Sequence, residues 1–507
     1  MVVGFRLFGI TREIREAMKS FSTTAGILAP IALLLLTLDV ASGQPKVNPR
    51  LFFESAKKSL DLKDVKFLQP TSGTAMKQLT SVQSVQDLRS FMATADSVSL
   101  TTVSDDIQVT AAEDKLQRFL RDSSLQSIQL VALDIRRVES SLFADAKVKL
   151  CEGVEPYCST VRSKGWEKKT GRVEQMFVTL GTKGEGKPTG QAIFVREDAD
   201  IRGVLNVGTQ TYVMRQLLNR VFAITTSRRD EIERSKDDVL DLKRGSKDWQ
   251  KIPPKTPKPP QIPSGSSSDA CPNPATTQVV EVLVVSTVRA TNMALEAGDS
   301  MRQLVKTAQA IANVSFENSN IKGEIHVIQL GTTKYKESGD FHTDIQELLK
   351  DGGRLEHVRE ARRKTKADVA VLIVDHPSRT NCGMAAGISV PKERAFAVVN
   401  WKCITDKFSF IHEIGHLAGA WHDPVTVGSG YVVDPPYAHG YVTVGKEPMA
   451  TIMAYRESCH APCGRRWYWS NPHTRTEDGQ VLGTADKNFD ACVWRQRLPE
   501  MATFNGG

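Results

Sequence analysis

The stretch H-E-I-G-H-L-A-G-A-W-H-D at residues 412–423 constrains this chain more than any other feature of its sequence. His412 and His416 are four residues apart, so on a helix both imidazoles lie on one face, where a single Zn²⁺ can bind both. Gly419 can adopt backbone conformations closed to other residues, so the helix can end there and the turn can bring His422 back as a third ligand. Three protein ligands leave an open coordination position, which is typical of a catalytic zinc site.

Glu413 follows the first histidine and is placed to accept a proton from a water that the zinc activates. A bare H-E-x-x-H also occurs as a solvated helix face with two unrelated histidines, but the glycine and the third histidine at fixed offsets argue against coincidence. A structural zinc site would need a fourth protein ligand, for which Asp423 and Cys459 are the candidates. The motif therefore predicts one catalytic zinc ion held by three histidines, with Glu413 as the general base.

A second motif, T-I-M-A-Y, occupies residues 451–455. Together with the zinc motif about thirty residues before it, this segment resembles the Met-turn of the metzincin metallopeptidases. The resemblance implies that Met453 forms an apolar floor beneath the zinc and that Tyr455 binds zinc or stabilises the oxyanion. Without the metzincin resemblance, Met453 would be interpreted as an ordinary core methionine and Tyr455 as a half-buried structural tyrosine.

The metzincin resemblance also implies the fold. It predicts a mixed α/β (α+β) catalytic domain with a mixed five-stranded sheet, a zinc helix and an irregular lower subdomain, preceded by a β-rich propeptide. Asp423 is expected to tie down the turn that presents the third histidine, and His439 and His460 to be structural or solvated.

The segments Y-A-H-G-Y at 437–441 and W-S-N-P at 469–472 make the chain most similar to the secreted bacterial, reprolysin-like peptidyl-Asp metalloendopeptidases. That resemblance implies a zinc endopeptidase that acts on protein or peptide substrates and prefers acidic residues after the scissile bond. An acidic side chain in a pocket needs a cation, and arginine is the best partner because it binds a carboxylate through two hydrogen bonds. The resemblance places three arginines just beyond the Met-turn, where metzincins build the pocket wall, and the alternative is that some or all of them are surface charges: Arg456, Arg465 and Arg466.

The N-terminus has the order of a secretory signal, with basic residues, an apolar run at 25–38 and then small residues. As a helix this run spans only about 21 Å, short of the ~30 Å hydrocarbon core, which favours a signal peptide at 1–43 over an uncleaved anchor. We therefore expect secretion, no stable membrane span after cleavage, and a monomer. The net charge of +8 is spread out and forms no compact basic stripe, so nucleic acid is not an expected partner.

A chain of 507 residues is expected to hold two or more domains. Residues 44–247 carry no catalytic signature, and their pattern of short apolar runs between glycines predicts a small antiparallel sheet with strands at 172–180, 190–195, 201–207 and 210–214. Trp166 and the glycines after it resemble the propeptide of secreted bacterial metallopeptidases, which implies that this region inhibits its own enzyme.

The sequence offers two kinds of side chain that could block the zinc. Cys151 or Cys158 can give a thiolate to the metal, although a local disulfide between them is the preferred interpretation. Asp198 or Asp200 can supply a carboxylate instead.

Residues 248–276 form a linker between this region and a catalytic domain at 277–507. Six prolines at 251–263 make its first half stiff, and the serine-rich run at 264–268 makes its second half flexible and accessible to proteases. Arg228-Arg229 and the lysines at 251–258 are candidate cleavage sites. The alternative is that the linker is a permanent spacer that is never cut.

The catalytic region reads as alternating strands and helices. Residues 395–400 are expected to be the edge strand, which would hold an extended peptide by backbone pairing. The other expected strands are 278–286, 323–330 and 368–374, and the expected helices are 293–315, 344–364 with a break at 352–353, 408–417 and 486–497.

Six of the eight cysteines lie in or beside the catalytic region, and six cysteines allow 15 pairings that sequence cannot separate. The pairings we expect are Cys382–Cys403, Cys459–Cys463 and Cys271–Cys492. A non-catalytic binding or adhesion protein on the same fold is the competing function. It would be supported by loss of a zinc ligand or of Glu413, and the sequence retains all four residues.

Overall fold

The computed structural model describes residues 78–79, 86, 106–122, 125–132, 147–149, 160–167, 172–181, 188–198, 200–207, 209–218, 221–227, 271–377, 382–429, 431–445, 448–476 and 479–504. The expected signal peptide, Cys151, Cys158, and the linker up to residue 270 lie outside these residues. No helix of the described part is long and apolar enough to cross a membrane.

The N-terminal region forms one antiparallel sheet of nine strands within the described residues, in the order β1-β2-β9-β8-β7-β6-β5-β4-β3. These strands are β1 (Gln78–Leu79), β2 (Leu125–Ala132), β3 (Lys147–Lys149), β4 (Thr160–Glu167), β5 (Arg172–Gly181), β6 (Pro188–Glu197), β7 (Asp200–Val207), β8 (Gln210–Leu218) and β9 (Val221–Ser227). Helix α1 (Asp106–Arg121) packs on this sheet through Leu116 and Phe119.

The predicted antiparallel sheet is confirmed, since its four expected strands are β5 to β8. The sheet is larger than expected because β9 also pairs with β2, about a hundred residues earlier in the chain. Such a long-range pairing has no local signal in the sequence.

The catalytic region holds a five-stranded mixed sheet in the order β11-β10-β12-β14-β13. Its strands are β10 (Gln278–Thr287), β11 (Gly323–Thr333), β12 (Val369–Val374), β13 (Gly383–Ala385) and β14 (Phe396–Asn400). The first four in spatial order are parallel, and β13 runs antiparallel to β14 at the edge. The predicted mixed five-stranded sheet and α+β class are therefore confirmed.

The expected position of the edge strand was wrong. Residues 395–400 correspond to β14, which is buried at every position and pairs with β12 on one side and β13 on the other. Its near-continuous apolar sequence is that of a strand covered on both faces. The edge strand on this side of the sheet is β13, which is only three residues long, too short to produce an alternating pattern.

Helices cover the sheet, and a loop region follows the zinc helix. The helices of this part are α2 (Val288–Glu296), α3 (Met301–Asn318), α4 (Phe341–Leu349), α5 (Glu356–Thr365), α6 (Ser409–Ala418), α7 (Pro424–Val427) and α8 (Asp490–Met501), with 3₁₀ turns at Lys392–Arg394, Trp401–Cys403 and Arg456–Ser458. The helix expected at 293–315 is two helices, since the chain turns at Gly298 (φ +77°) and the Ser300 hydroxyl caps α3. The break expected at 352–353 is confirmed.

Within the described residues after α6, the strands form two short pairs, as the expected irregular lower subdomain would. These are β15 (Met449–Ala450) with β16 (Gly464–Arg465), and β17 (Asn471–Arg475) with β18 (Val481–Leu482). The three expected disulfides, Cys271–Cys492, Cys382–Cys403 and Cys459–Cys463, are confirmed. The first joins the start of the catalytic region to α8, and the second joins the loop before β13 to the turn after β14.

Candidate zinc site

The zinc motif lies on helix α6, every residue of which is buried. The helix ends at Gly419, whose φ of +117° is open to glycine and strained for other residues. The Gly419 and Ala420 amides donate to the last carbonyls of the helix, at Gly415 and His416. This closed turn reverses the chain and returns His422 to the helix face that carries the other two histidines, as the sequence predicts.

The three imidazoles converge on one point. The Nε2 atom of His422 lies 3.2 Å from Nε2 of His412 and 3.1 Å from Nε2 of His416. Tetrahedral zinc with Zn–N bonds of 2.0–2.1 Å separates two ligand nitrogens by about 3.3 Å, so these nitrogens fit one ion. Among the described residues, these histidines are the one group of three or more potential ligands with atoms close enough to share a metal.

Two backbone carbonyls orient the imidazoles of the helix. Nδ1 of His412 lies 3.0 Å from the Ile452 carbonyl oxygen, and Nδ1 of His416 lies 2.8 Å from the Ala420 carbonyl oxygen. A carbonyl only accepts, so both Nδ1 atoms carry the proton and both Nε2 atoms present a lone pair. Metal-bound histidines are commonly held by a second contact of this kind.

Asp423 anchors the turn that carries His422, as predicted. Its buried carboxylate accepts hydrogen bonds from the Val425 and Thr426 amides and from the Thr426 hydroxyl, at 2.7–3.1 Å. It also accepts from the Tyr455 amide at 3.0 Å, so the turn and the Met-turn share one anchor. The expected structural role of Asp423 is confirmed.

The two candidates for a fourth, structural zinc ligand are both engaged elsewhere. The Asp423 carboxylate is hydrogen-bonded to backbone amides, and Cys459 is in a disulfide with Cys463. The expected structural role of His439 is confirmed, since its buried Nδ1 donates to the His422 carbonyl oxygen at 2.7 Å. Burial lowers the pKa of His439, which favours its neutral form. His460 is exposed, as expected for a solvated histidine.

Met453 and Tyr455 flank the histidines. Met453 is fully buried, and a Cβ atom placed on Gly415 would lie 3.0 Å from its sulfur, so the methionine lies directly against α6. The Tyr455 ring is centred 4.7 Å from the His422 ring and 6.1 Å from the His412 ring. Met453 thus lies against the helix and Tyr455 beside the histidines. The roles expected of them, as the apolar floor of the site and as a zinc ligand or oxyanion donor, stay predictions.

Glu413 is buried and lies against the edge strand β13. A Cβ atom at Gly383 would come within 2.6 Å of its Oε1 and 2.9 Å of its Cδ and Cγ atoms. Gly383 thus makes room for the carboxylate between the helix and the strand. Sequence reasoning missed this residue, and the signal available was a glycine directly after Cys382.

The three arginines past the Met-turn have different surroundings. Arg465 is buried, donates to the Ala454 and Lys407 carbonyls, and stacks over the Tyr455 ring at 5.2 Å. Arg466 donates to the Asn206 carbonyl of β7 at 2.7 Å. Arg456 is half-buried, and its buried Nε has no hydrogen-bond partner among the described residues.

Asp198 and Asp200, the two carboxylates that the sequence offers as zinc blockers, have other surroundings in the structure. Asp200 lies 3.5 Å from the Lys115 ammonium on α1, and its carboxylate also accepts from the Ile201 amide. Burial raises the pKa of Asp200, and Lys115 opposes this shift. Asp198 lies in the hairpin between β6 and β7 with a φ of +51°.

Comparison with known proteins identifies the class. Residues 276–468 match the Reprolysin_5 model of metallo-peptidase family M12. With its buried histidine triad, the chain is a zinc metalloendopeptidase, a hydrolase that acts on protein or peptide substrates.

The relatives narrow this class to one family. The chain is 34% identical over 332 residues to a peptidyl-Asp metalloendopeptidase of Stenotrophomonas maltophilia (strain R551-3), covering 64% of this chain and 72% of that protein. It is 33% identical over 314 residues to the protein of that name from strain K279a, covering 60% and 68%. The one from Xanthomonas campestris pv. campestris is 37% identical over 234 residues, covering 46% and 52%. The chain belongs to the family of the peptidyl-Asp metalloendopeptidases.

Proposed function

We propose that His412, His416 and His422 hold one Zn²⁺ and that Glu413 is the general base in the hydrolysis of internal peptide bonds. The observation that carries this proposal is the convergence of the three Nε2 atoms at distances that fit tetrahedral zinc, next to a buried glutamate. Zinc bound there would supply Lewis acidity, which lowers the pKa of a water from 15.7 to about 7.

Glu413 would take the proton of the attacking water and pass it to the leaving amine. Its burial against β13 keeps the carboxylate in one position, so that it is aligned before substrate arrives. The Tyr455 hydroxyl would donate a hydrogen bond to the oxyanion as it forms, and Met453 would keep the underside of the site apolar.

Strand β13 would hold the substrate. It is one of the two end strands of the five-stranded sheet, so an extended peptide can add a further strand at its outer edge. Because Gly383 of this strand touches Glu413, a peptide paired there would lie next to the base. Backbone pairing tolerates many side chains, so preference must come from a pocket.

We propose that the pocket prefers an acidic residue after the scissile bond and that Arg456 binds the carboxylate of that residue. The relatives are named for peptidyl-Asp cleavage, and Arg456 directly follows Tyr455 with a buried Nε that lacks a partner in the described part of the chain. Arg465 and Arg466 donate to backbone carbonyls, so we assign them to the pocket wall and to contact with β7.

We further propose that the enzyme is made as a secreted, latent precursor. Its parts would be a signal peptide at 1–43, an inhibitory propeptide at 44–247, a cleavable linker at 248–276 and the peptidase at 277–507. This proposal is supported by the basic-apolar-small order of the N-terminus and the six prolines of the linker. The mature enzyme is expected to be a monomer.

Profiling a peptide library tests activity and specificity together. We expect cleavage that a chelator abolishes and zinc restores, with acidic residues enriched after the cut. Arg456→Gln should reduce that enrichment about tenfold or more, because a charge-assisted contact is lost, while Arg475→Gln, an exposed arginine of β17, should leave it unchanged. Cleavage without enrichment would contradict the specificity proposal alone, and N-terminal sequencing of the secreted form tests the proposed boundaries.

A further inference from the structure

A buried ion cluster joins the N-terminal sheet to the catalytic region. Asp299 lies in the turn between α2 and α3 and is 3% exposed, as is expected of a charge only when it is paired. Its carboxylate accepts from Arg202 of β7, which is 2% exposed, and from two nitrogens of Arg215 of β8, both at 2.9 Å. Arg202 also donates to the Thr405 hydroxyl at 3.1 Å.

The two arginines keep this carboxylate ionised. Burial would raise the pKa of Asp299, but Arg202 and then Arg215 outweigh it and hold the pKa below its usual range. The catalytic side therefore presents Asp299 as a fixed negative charge opposite two guanidinium groups of the sheet, and Asp406 of the same side also attracts both groups. Separating the two sides would leave charges of opposite sign without partners on both.

Apolar contacts and further hydrogen bonds surround the ion cluster at Asp299. Phe177 of β5 packs on Trp467, with ring centroids 6.2 Å apart, and shares one hydrophobic cluster with residues of the catalytic core. Gln191 of β6 donates to the Tyr468 hydroxyl at 3.0 Å, and Arg466 donates to the Asn206 carbonyl at 2.7 Å. Aromatic and arginine side chains of this kind are enriched at interfaces between proteins and contribute most of the binding energy there.

We propose that the surface centred on Asp299 is a docking site for the N-terminal sheet that holds it without a covalent link. The sheet would then remain bound as a noncovalent partner after the linker is cut. This docking concerns the binding of two parts of the chain and does not depend on peptidase activity.

The structure supplies its own control. At the rim of the same interface, Glu197 of β6 pairs with Arg302 of α3 at 3.0 Å, but the Arg302 side chain is 70% exposed. Exposed ion pairs contribute little because water and salt screen them. Loss of this pair should therefore weaken docking far less than loss of the Asp299 carboxylate.

The test uses the full chain with a specific protease site inserted in the serine-rich run at 264–268. It is made in a Glu413→Ala background, so that no activity of its own can degrade it. After cleavage, we expect the two pieces to coelute in size-exclusion chromatography at micromolar concentration. Asp299→Asn should raise their dissociation constant about 30- to 4,000-fold, because it removes the charge that pairs with the buried Arg202 and the partly buried Arg215. Arg302→Ala should change it less than about fivefold.

Separation of the unsubstituted pieces on cleavage would overturn the proposal, as would equal effects of Asp299→Asn and Arg302→Ala. If the uncut Asp299→Asn chain does not give a cooperative thermal transition, Arg215→Gln tests the same pair from the other side. An Arg215→Gln dissociation constant equal to that of Arg302→Ala would then overturn it.

Discussion

Replacing Gly383 by alanine should damage catalysis by moving Glu413. The new Cβ atom would lie 2.6 Å from Oε1 and 2.9 Å from Cδ and Cγ, whereas ordinary contacts begin near 3.4 Å. The carboxylate must therefore retreat by about 0.8 Å, and its burial restricts where it can go. A misplacement of about 1 Å costs about 100-fold in rate, or close to 2.7 kcal/mol of transition-state stabilisation.

The assay is kcat/KM on an internally quenched peptide, with zinc content measured on the same sample. Zinc content should stay unchanged, since the three atoms nearest the new Cβ all belong to the proposed base. Gly331→Ala in β11 is the matched control, because its Cβ would meet only Val285, at 3.9 Å. It should keep kcat/KM within about twofold, because an ordinary contact requires no movement. If Gly383→Ala keeps kcat/KM within about threefold as well, the proposed alignment of Glu413 by β13 is refuted.

Three further predictions concern stability. Burial raises the pKa of Asp490 well above 3.8, so the folded chain retains a proton that the unfolded chain loses, and stability falls as pH rises from about 4 through the folded pKa. Asp490→Asn should therefore flatten the decline of Tm between pH 4 and pH 8. Replacing Cys271 and Cys492 by serine should cost about 5 kcal/mol in the chain-entropy account, because this bond spans 221 residues, and urea unfolding measures the loss. Asp423→Ala should cost about 1–3 kcal/mol, since it leaves the buried Tyr455 amide without an acceptor, and the same urea titration measures it.

Each of these predictions can fail clearly. An Asp490→Asn chain whose Tm falls with pH as steeply as the parent would contradict the assignment of a buried, protonated carboxyl. Retention of full urea stability in the double serine variant would show that the bond does not constrain the unfolded chain. An Asp423→Ala chain with unchanged stability would contradict the shared anchor between the two turns.

The zinc helix and its glycine turn were predictable because short-range geometry dictates them, whereas the segment at 451–455 was singled out only by its resemblance to the metzincin Met-turn. The four-residue spacing of His412 and His416 and the position of Gly419 fix where the imidazoles point. The buried strands β10 and β12 were predictable because parallel strands covered on both faces carry near-continuous apolar sequences. The three disulfides of the structure pair the same cysteines as the sequence analysis expects.

The remaining features depend on contacts between distant residues. Strand β14 was expected at the edge because the sequence does not reveal β13. This strand is three residues long, precedes β14 in the chain and pairs with its outer side. The cluster at Asp299 was not anticipated, since its arginines lie 97 and 84 residues earlier in the chain. The break at Gly298 was missed because the apolar pattern continues through it.

Zinc content and peptide turnover, measured together on Glu413→Ala, decide whether Glu413 is the general base at a zinc ion. We expect about one zinc per chain, as in the parent, because all three histidines remain, and a loss of turnover of about 100-fold or more, because the proton acceptor is gone. Near-normal turnover with zinc bound would contradict the assignment of Glu413 as the general base.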